Sequence, residues 1–100
     1  MQNIMALSLD DQFNFAVEQI RSMPTDAGGR KGPTDAEKLV MYGLYKQATV
    51  GDCNTARPGM LDFVNKAKWD SWSGRRGMSK QNAKTAYCNE FLKMADKYDV

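Results

Sequence analysis

Histidine is absent from this 100-residue chain. With it goes the side chain that most often serves as a general base near neutral pH. Ser/His/Asp and Cys/His nucleophile arrangements are therefore excluded. Cysteine is scarce as well. Cys53 and Cys88 are the only two; they form no CxxC pair and have no histidine to complete a ligand set, so no metal site is expected. Free thiols in a reducing compartment are the expected state, with a single disulfide left open. An excess of one charge is also lacking. Lys and Arg total 14 against 12 Asp and Glu, a formal net charge of +2. A nucleic-acid binder shows a stronger basic excess or a basic stripe, and Arg30-Lys31 and Arg75-Arg76 are too short to make one.

Long apolar runs are missing too. None approaches the roughly 18 residues that would suggest a membrane span. The N-terminal residues show neither a basic segment followed by an apolar one nor an Arg-rich, acid-poor leader, since Asp10 and Asp11 come early. A cytoplasmic location is the expectation from these absences. The adjacent Asp10 and Asp11 read as charges complementing a helix start, not as an acid/base pair. The chain is expected to be non-enzymatic.

What is present is helical patterning on the scale of one domain, residues 1–100 with a core over about 9–98. Residues 1–7 are expected to fray. Ser8 offers a cap, and Phe13, Ala16, Val17 and Ile20 recur at helical spacing, giving a first helix that ends near Ser22 before Pro24. Residues 24–33, rich in Gly and Pro, form a mobile loop by composition. Thr34 and Glu37 make a capping-box pattern opening a second helix through about Val50, with Gly51 ending it. An irregular connection follows, with Pro58-Gly59 as a turn signal. A third helix is expected from near Leu61 to Ser73. Ser79 caps a fourth helix to about Tyr98, with Ala83, Ala86, Tyr87, Phe91, Met94 and Ala95 as its apolar stripe. Four amphipathic helices without strand-like alternation predict an all-α four-helix bundle.

On the second helix, Tyr42, Tyr45, Lys46 and Thr49 stand at i, i+3, i+4 and i+7 and so share a face. Two aromatic planes with phenol hydroxyls, an ammonium and a further hydroxyl suit a flat ring carrying phosphate. The competing assignment is ordinary: helical tyrosines packing on neighbours, and a solvated lysine. Trp69 and Trp72, three residues apart on the third helix, read as core.

The words Tyr45-Lys46-Gln47-Ala48-Thr49, Arg57-Pro58-Gly59, Ala67-Lys68-Trp69-Asp70-Ser71-Trp72 and Gly77-Met78-Ser79-Lys80 occur in this order. Together they resemble the acyl-CoA-binding protein family, also known as the diazepam-binding inhibitor family, from about Phe13 to Tyr98. The resemblance implies an up-down-down-up bundle whose long 51–59 connection, between the second and third helices, crosses over. It implies that Tyr42 and Lys46 meet the ribose phosphate of coenzyme A, that Tyr42 and Tyr45 surround the adenine, and that Lys68 joins the phosphate site. Tyr87 lines the same pocket, Arg21 falls where the family has a basic residue near the nucleotide, and Leu39 and Phe63 are further candidate contacts. Arg57-Pro58-Gly59 is expected to fix the crossover.

The ligand so implied is a fatty acyl-CoA, with no cofactor. Such a thioester is a detergent, and burying its tail is worth ~0.8 kcal/mol per methylene. The implied function is binding, buffering and intracellular transport of medium- to long-chain esters by a monomer. Transient partners would be enzymes that make or use the esters, and membrane surfaces. A helical protein-interaction module without a ligand is the alternative. Three features depart from the family pattern: the longer 24–33 loop, Lys38 at a position often apolar, and Gly74-Arg75-Arg76. These are expected, in turn, to tune acyl-length preference or membrane approach, to alter the adenine pocket, and to loosen the end of the third helix.

Overall fold

Ser8 starts the first helix by accepting a hydrogen bond from the Asp11 backbone N–H at 3.1 Å. With Asp10 and Asp11 in the first turn and Arg21 in the last, α1 (Leu9–Ser22) complements its own dipole. The computed structural model describes residues 7–24 and 32–98. The expected fraying of residues 1–6 and most of the Gly-rich loop, Arg30-Lys31 included, lie outside the described residues.

The Thr34/Glu37 capping box opens α2 (Asp35–Thr49). Gly51, at φ +98°, turns the chain out of the helix in a conformation that side chains with a Cβ rarely adopt. α3 (Phe63–Ser73) begins later than the apolar pattern predicts. Met60 and Leu61 lie in a turn closed by the Asp62 N–H donating to the Gly59 carbonyl at 3.0 Å. Asp62 gives the helix no side-chain cap, because its carboxylate accepts from Asn65 Nδ2 at 3.0 Å. α4 (Lys80–Lys97) is capped by Ser79. No strand occurs among the described residues. No helix among them is long and apolar enough to cross a membrane.

α2 is the hub: it packs against both α3 and α4, while α1 packs on α4. Phe13, Ala16 and Val17 of α1 meet Met41, Leu44 and Ala48 of α2 and Ala83, Tyr87, Phe91 and Met94 of α4 in one buried cluster. α1 and α4 thus contribute the stripes their periodicity predicts, while the Met41, Leu44 and Ala48 stripe of α2 was not singled out from the sequence.

The connection from α2 to α3 is fastened at several points. Gln47 is fully buried, and its Nε2 donates to Asp52 Oδ1 at 2.9 Å and to the Met78 carbonyl at 2.7 Å. Asp52 also accepts from the Gly77 N–H at 2.9 Å. Arg57 forks onto Asp70 through Nε at 3.0 Å and Nη2 at 2.9 Å, so the Arg57-Pro58-Gly59 word does clamp the crossover to α3. Trp72 is buried and donates to the Gly51 carbonyl at 2.7 Å. Trp69 is half-buried and donates to the Thr55 carbonyl. The expected looseness after α3 is not found: successive backbone hydrogen bonds run through Gly74, Arg75, Arg76 and Met78. Arg76 Nη2 also donates to the Cys53 carbonyl at 3.2 Å. Cys53 and Cys88 are free and buried.

Candidate functional site

One face of α2 carries Asp35, Lys38, Leu39, Tyr42 and Tyr45 at i, i+3, i+4, i+7 and i+10, which keeps them in register along the helix. This face forms the floor of two cavities that meet at Lys38 and Tyr42. The smaller, of about 250 Å³, lies between α1, α2 and α4 and is lined by Val17, Ile20, Arg21, Met41, Tyr45 and Tyr87 besides the shared pair. The larger, of about 400 Å³, lies between α2 and α3, where Leu39, Phe63, Val64, Ala67 and Lys68 line it with Asp35 at one end. Lys38 and Tyr42 border both, so the two cavities form neighbouring lobes of a trough along α2.

The small lobe gathers three tyrosines and an arginine over an apolar floor. Tyr45 stacks on Phe13 with centroids 6.1 Å apart, and Phe13 meets Tyr87 edge-on at 5.1 Å. Tyr87 is buried, and burial first, with the Tyr45 phenol beside it adding to the effect, pushes its pKa up to about 12 against the opposing pull of Arg21. It therefore stays a neutral hydroxyl throughout the physiological range and can donate as well as accept. Arg21 and Tyr45 line the same lobe.

Across the α2–α3 seam the lysines are exchanged. Lys46 of α2 lies over the Trp72 ring of α3 at 4.7 Å. Lys68 of α3 lies over the Tyr42 ring of α2 at 5.4 Å. Of the residues expected from sequence, Tyr42, Tyr45, Tyr87 and Arg21 come together in the small lobe. Leu39, Phe63 and Lys68 join Tyr42 in the large one. Lys46 lines neither and stands on the seam beside Trp72. Thr49, on the expected face, instead returns its hydroxyl to the Tyr45 carbonyl at 2.8 Å.

Lys38, expected to alter the adenine pocket, borders both lobes. Asp35, Val64 and Ala67 were not singled out by the sequence. Extending the Tyr42/Tyr45 face two turns towards the N-terminus finds Asp35, and following Phe63 and Val64 by one helical turn finds Ala67.

A two-lobed trough lined by tyrosines, cations and apolar side chains defines a small helical domain with a surface suited to an amphipathic ligand. The sequence agrees with known proteins over nearly its whole length. The profile of the family described as acyl CoA binding protein matches residues 10–91. A putative acyl-CoA-binding protein of a Hypsibius species is 42% identical over 91 residues, 91% of this chain and 96% of the relative. The crystal structure of acyl-CoA-binding protein from Moniliophthora perniciosa superposes with a TM-score of 0.82 at 44% identity, covering 94% of this chain and 86% of that one. That of Oryza sativa acyl-CoA-binding protein 2 gives 0.81 at 32% identity, covering 92% and 96%. This chain belongs to the acyl-CoA-binding protein family, and its fold is that family's all-α arrangement.

Proposed function

We propose that this chain binds one fatty acyl-CoA per monomer, performs no chemistry on the thioester, and so buffers and carries medium- to long-chain esters in the cytoplasm. The observation that carries this reading is the pair of lobes that share Lys38 and Tyr42, the smaller lined by three tyrosines and Arg21, the larger by Leu39, Phe63, Val64 and Ala67 with Lys68 at its border. In this reading the adenine stacks among Tyr42, Tyr45 and Tyr87, and such stacking is worth ~1–3 kcal/mol per base in nucleic-acid sites. The phosphates meet Lys68, Lys46 and Arg21, with Lys38 at the junction. Leu39, Phe63, Val64 and Ala67 cover the acyl chain, each buried methylene adding up to ~0.8 kcal/mol.

Selectivity against a free fatty acid then comes from the phosphate contacts, and selectivity against free coenzyme A from the tail. The reading requires neither a metal nor a cofactor. The transient partners are the enzymes that produce and consume the ester, and lipid membranes, with no nucleic acid among them.

Isothermal titration of palmitoyl-CoA, free coenzyme A and palmitate into wild type and Lys46→Ala tests this. One-to-one binding of the thioester, weaker binding of both fragments and a marked loss in the variant are expected. Absence of saturable binding with any acyl-CoA would sink the proposal and leave a helical protein-interaction module.

A further inference from the structure

The turn that leads into α3 exposes four large apolar side chains within five residues. Met60 is 80% exposed, Leu61 84%, Phe63 68% and Val64 67%. They are the most exposed large hydrophobic side chains among the described residues. Phe63 and Val64 form one wall of the large lobe, whereas Met60 and Leu61 line neither lobe and stand beyond it. Met60 and Leu61 therefore lie next along the chain to the pair that lines the lobe, with Asp62 between the two pairs.

We infer that residues 60–64 are the part of the molecule that enters a lipid surface, placing the mouth of the large lobe against the acyl-chain region of the bilayer. The inference rests on the proposed acyl-CoA reading and names the surface through which the ester would be exchanged. Two features choose lipid over a protein as the occupant. Four such side chains present only a few hundred Å², below the roughly 800 Å² that each partner buries in a standard protein interface. A short turn with apolar tips is the right size for a shallow wedge. Two of the four side chains, Phe63 and Val64, also line the lobe proposed for the hydrocarbon tail, so insertion of the turn would bring that lobe to the bilayer.

Charge plays a secondary part. Lys66 supports the turn, donating from Nζ to the Met60 carbonyl at 3.0 Å and lying 5.4 Å from the Phe63 ring centroid. Lys38 and Lys68 flank the adjoining lobe. Asp62 and Asp35 oppose them, and Arg57 and Asp70 cancel in their own ion pair. The local balance is only slightly positive, so insertion depends mainly on apolar contact and is assisted modestly by anionic lipid. Binding of this kind is reversible, as for a single acyl anchor.

The test is flotation with vesicles of phosphatidylcholine alone and of equimolar phosphatidylcholine and phosphatidylserine, using wild type and the double variant Met60→Ser/Leu61→Ser. Both side chains are exposed and lie outside both lobes, so circular dichroism and palmitoyl-CoA titration in solution should match wild type. Partition is expected to fall by at least about tenfold, since two large apolar side chains are lost from the inserted surface. Extraction of palmitoyl-CoA from vesicles by the variant should slow in parallel. Equal flotation of variant and wild type, or no flotation of wild type with either vesicle, overturns the inference. So does a concentration-dependent dimer abolished by the double variant in a wild type that ignores vesicles, which would assign the patch to a second copy. If the wild type floats through these residues but fails to bind palmitoyl-CoA in solution, the carrier reading falls and the lipid-inserting surface stands.

Discussion

Lys46 and Lys68 show how a weak contact can hold a side chain ready for a stronger one. Each ammonium rests on an aromatic ring of the neighbouring helix, an interaction worth ~0.5–1 kcal/mol at an exposed site. A charge-assisted hydrogen bond to phosphate is worth ~1.5–3 kcal/mol, so a phosphate wins the lysine without unfolding anything. The geometry also explains why the two tyrosines and Lys46, equivalent in the sequence, part company. From Tyr42, position i+3 falls about 60° to one side of the helix and i+4 about 40° to the other. Tyr45 accordingly leans onto Phe13 of α1 and Lys46 onto Trp72 of α3. For Lys68, which borders the lobe itself, Lys68→Ala should weaken palmitoyl-CoA by roughly tenfold to a hundredfold. Palmitoyl-pantetheine, which lacks the phosphates, should change little in the same titration. An equal loss for both ligands would instead mean that the lysine stem, not its charge, covers the ester.

Between elements, two contacts set how the helices meet, and they differ in how visible they are in the sequence. At the α2–α3 crossing, the hydroxyl of Ser71 donates to the Leu39 carbonyl. A Cβ added at Gly43 would lie 2.6 Å from the Ser71 carbonyl oxygen. Gly43→Ala gains ~0.5–1 kcal/mol of helix preference, but backbone cannot yield as a flexible side chain does, and overpacking costs ~1–3 kcal/mol. The variant should therefore unfold at lower urea, with α3 displaced and ligand affinity reduced. A stability equal to or above wild type would show that the helices can separate freely. At the other end of α2, Glu37 serves the capping box and also accepts from Tyr98 and Lys97 at the end of α4. The Tyr98 hydroxyl first, then the Thr34 N–H and Lys97, hold its pKa at about 2, below its ordinary 4.5. A depressed carboxylate stabilises the fold fully above the ordinary value and loses that contribution as pH falls towards the folded one. Urea midpoints of wild type and Glu37→Gln should thus differ at neutral pH and converge as pH drops from 4.5 towards about 2. The capping box was legible from Thr34 and Glu37; the link to the far end of α4 was not, because nothing local marks a carboxylate as shared between helices.

At the scale of the whole molecule, local chemistry made the helices legible, while the trough needed three-dimensional packing. Ser8, Thr34 and Ser79 mark three starts because a cap acts within one turn. The start of α3 was expected near Leu61 and falls at Phe63, and Met60 and Leu61 are instead the most exposed large apolar side chains among the described residues. The tyrosines and lysines were singled out by spacing and by family resemblance, yet which lobe each borders depends on α2 packing against both α3 and α4. That arrangement has a thermodynamic consequence. α1 and α3 share no principal packing face, and the two lobes lie between α1 and α2 on one side and α2 and α3 on the other. A ligand filling both lobes would tie together α1 and α3, which the protein alone connects mainly through α4 and α2. A ligand that binds only the folded state stabilises it by about 2.7 kcal/mol at a free concentration of 100 times its Kd. For a domain of this size the corresponding rise in Tm is roughly 10–20 °C. Calorimetric scans should therefore show a rise of this order with palmitoyl-CoA, and much smaller rises with free coenzyme A or palmitate at the same concentration, since each fills one lobe. An equal rise with palmitate would mean that the tail alone is recognised, and that the aromatic and cationic lobe is not the head-group site.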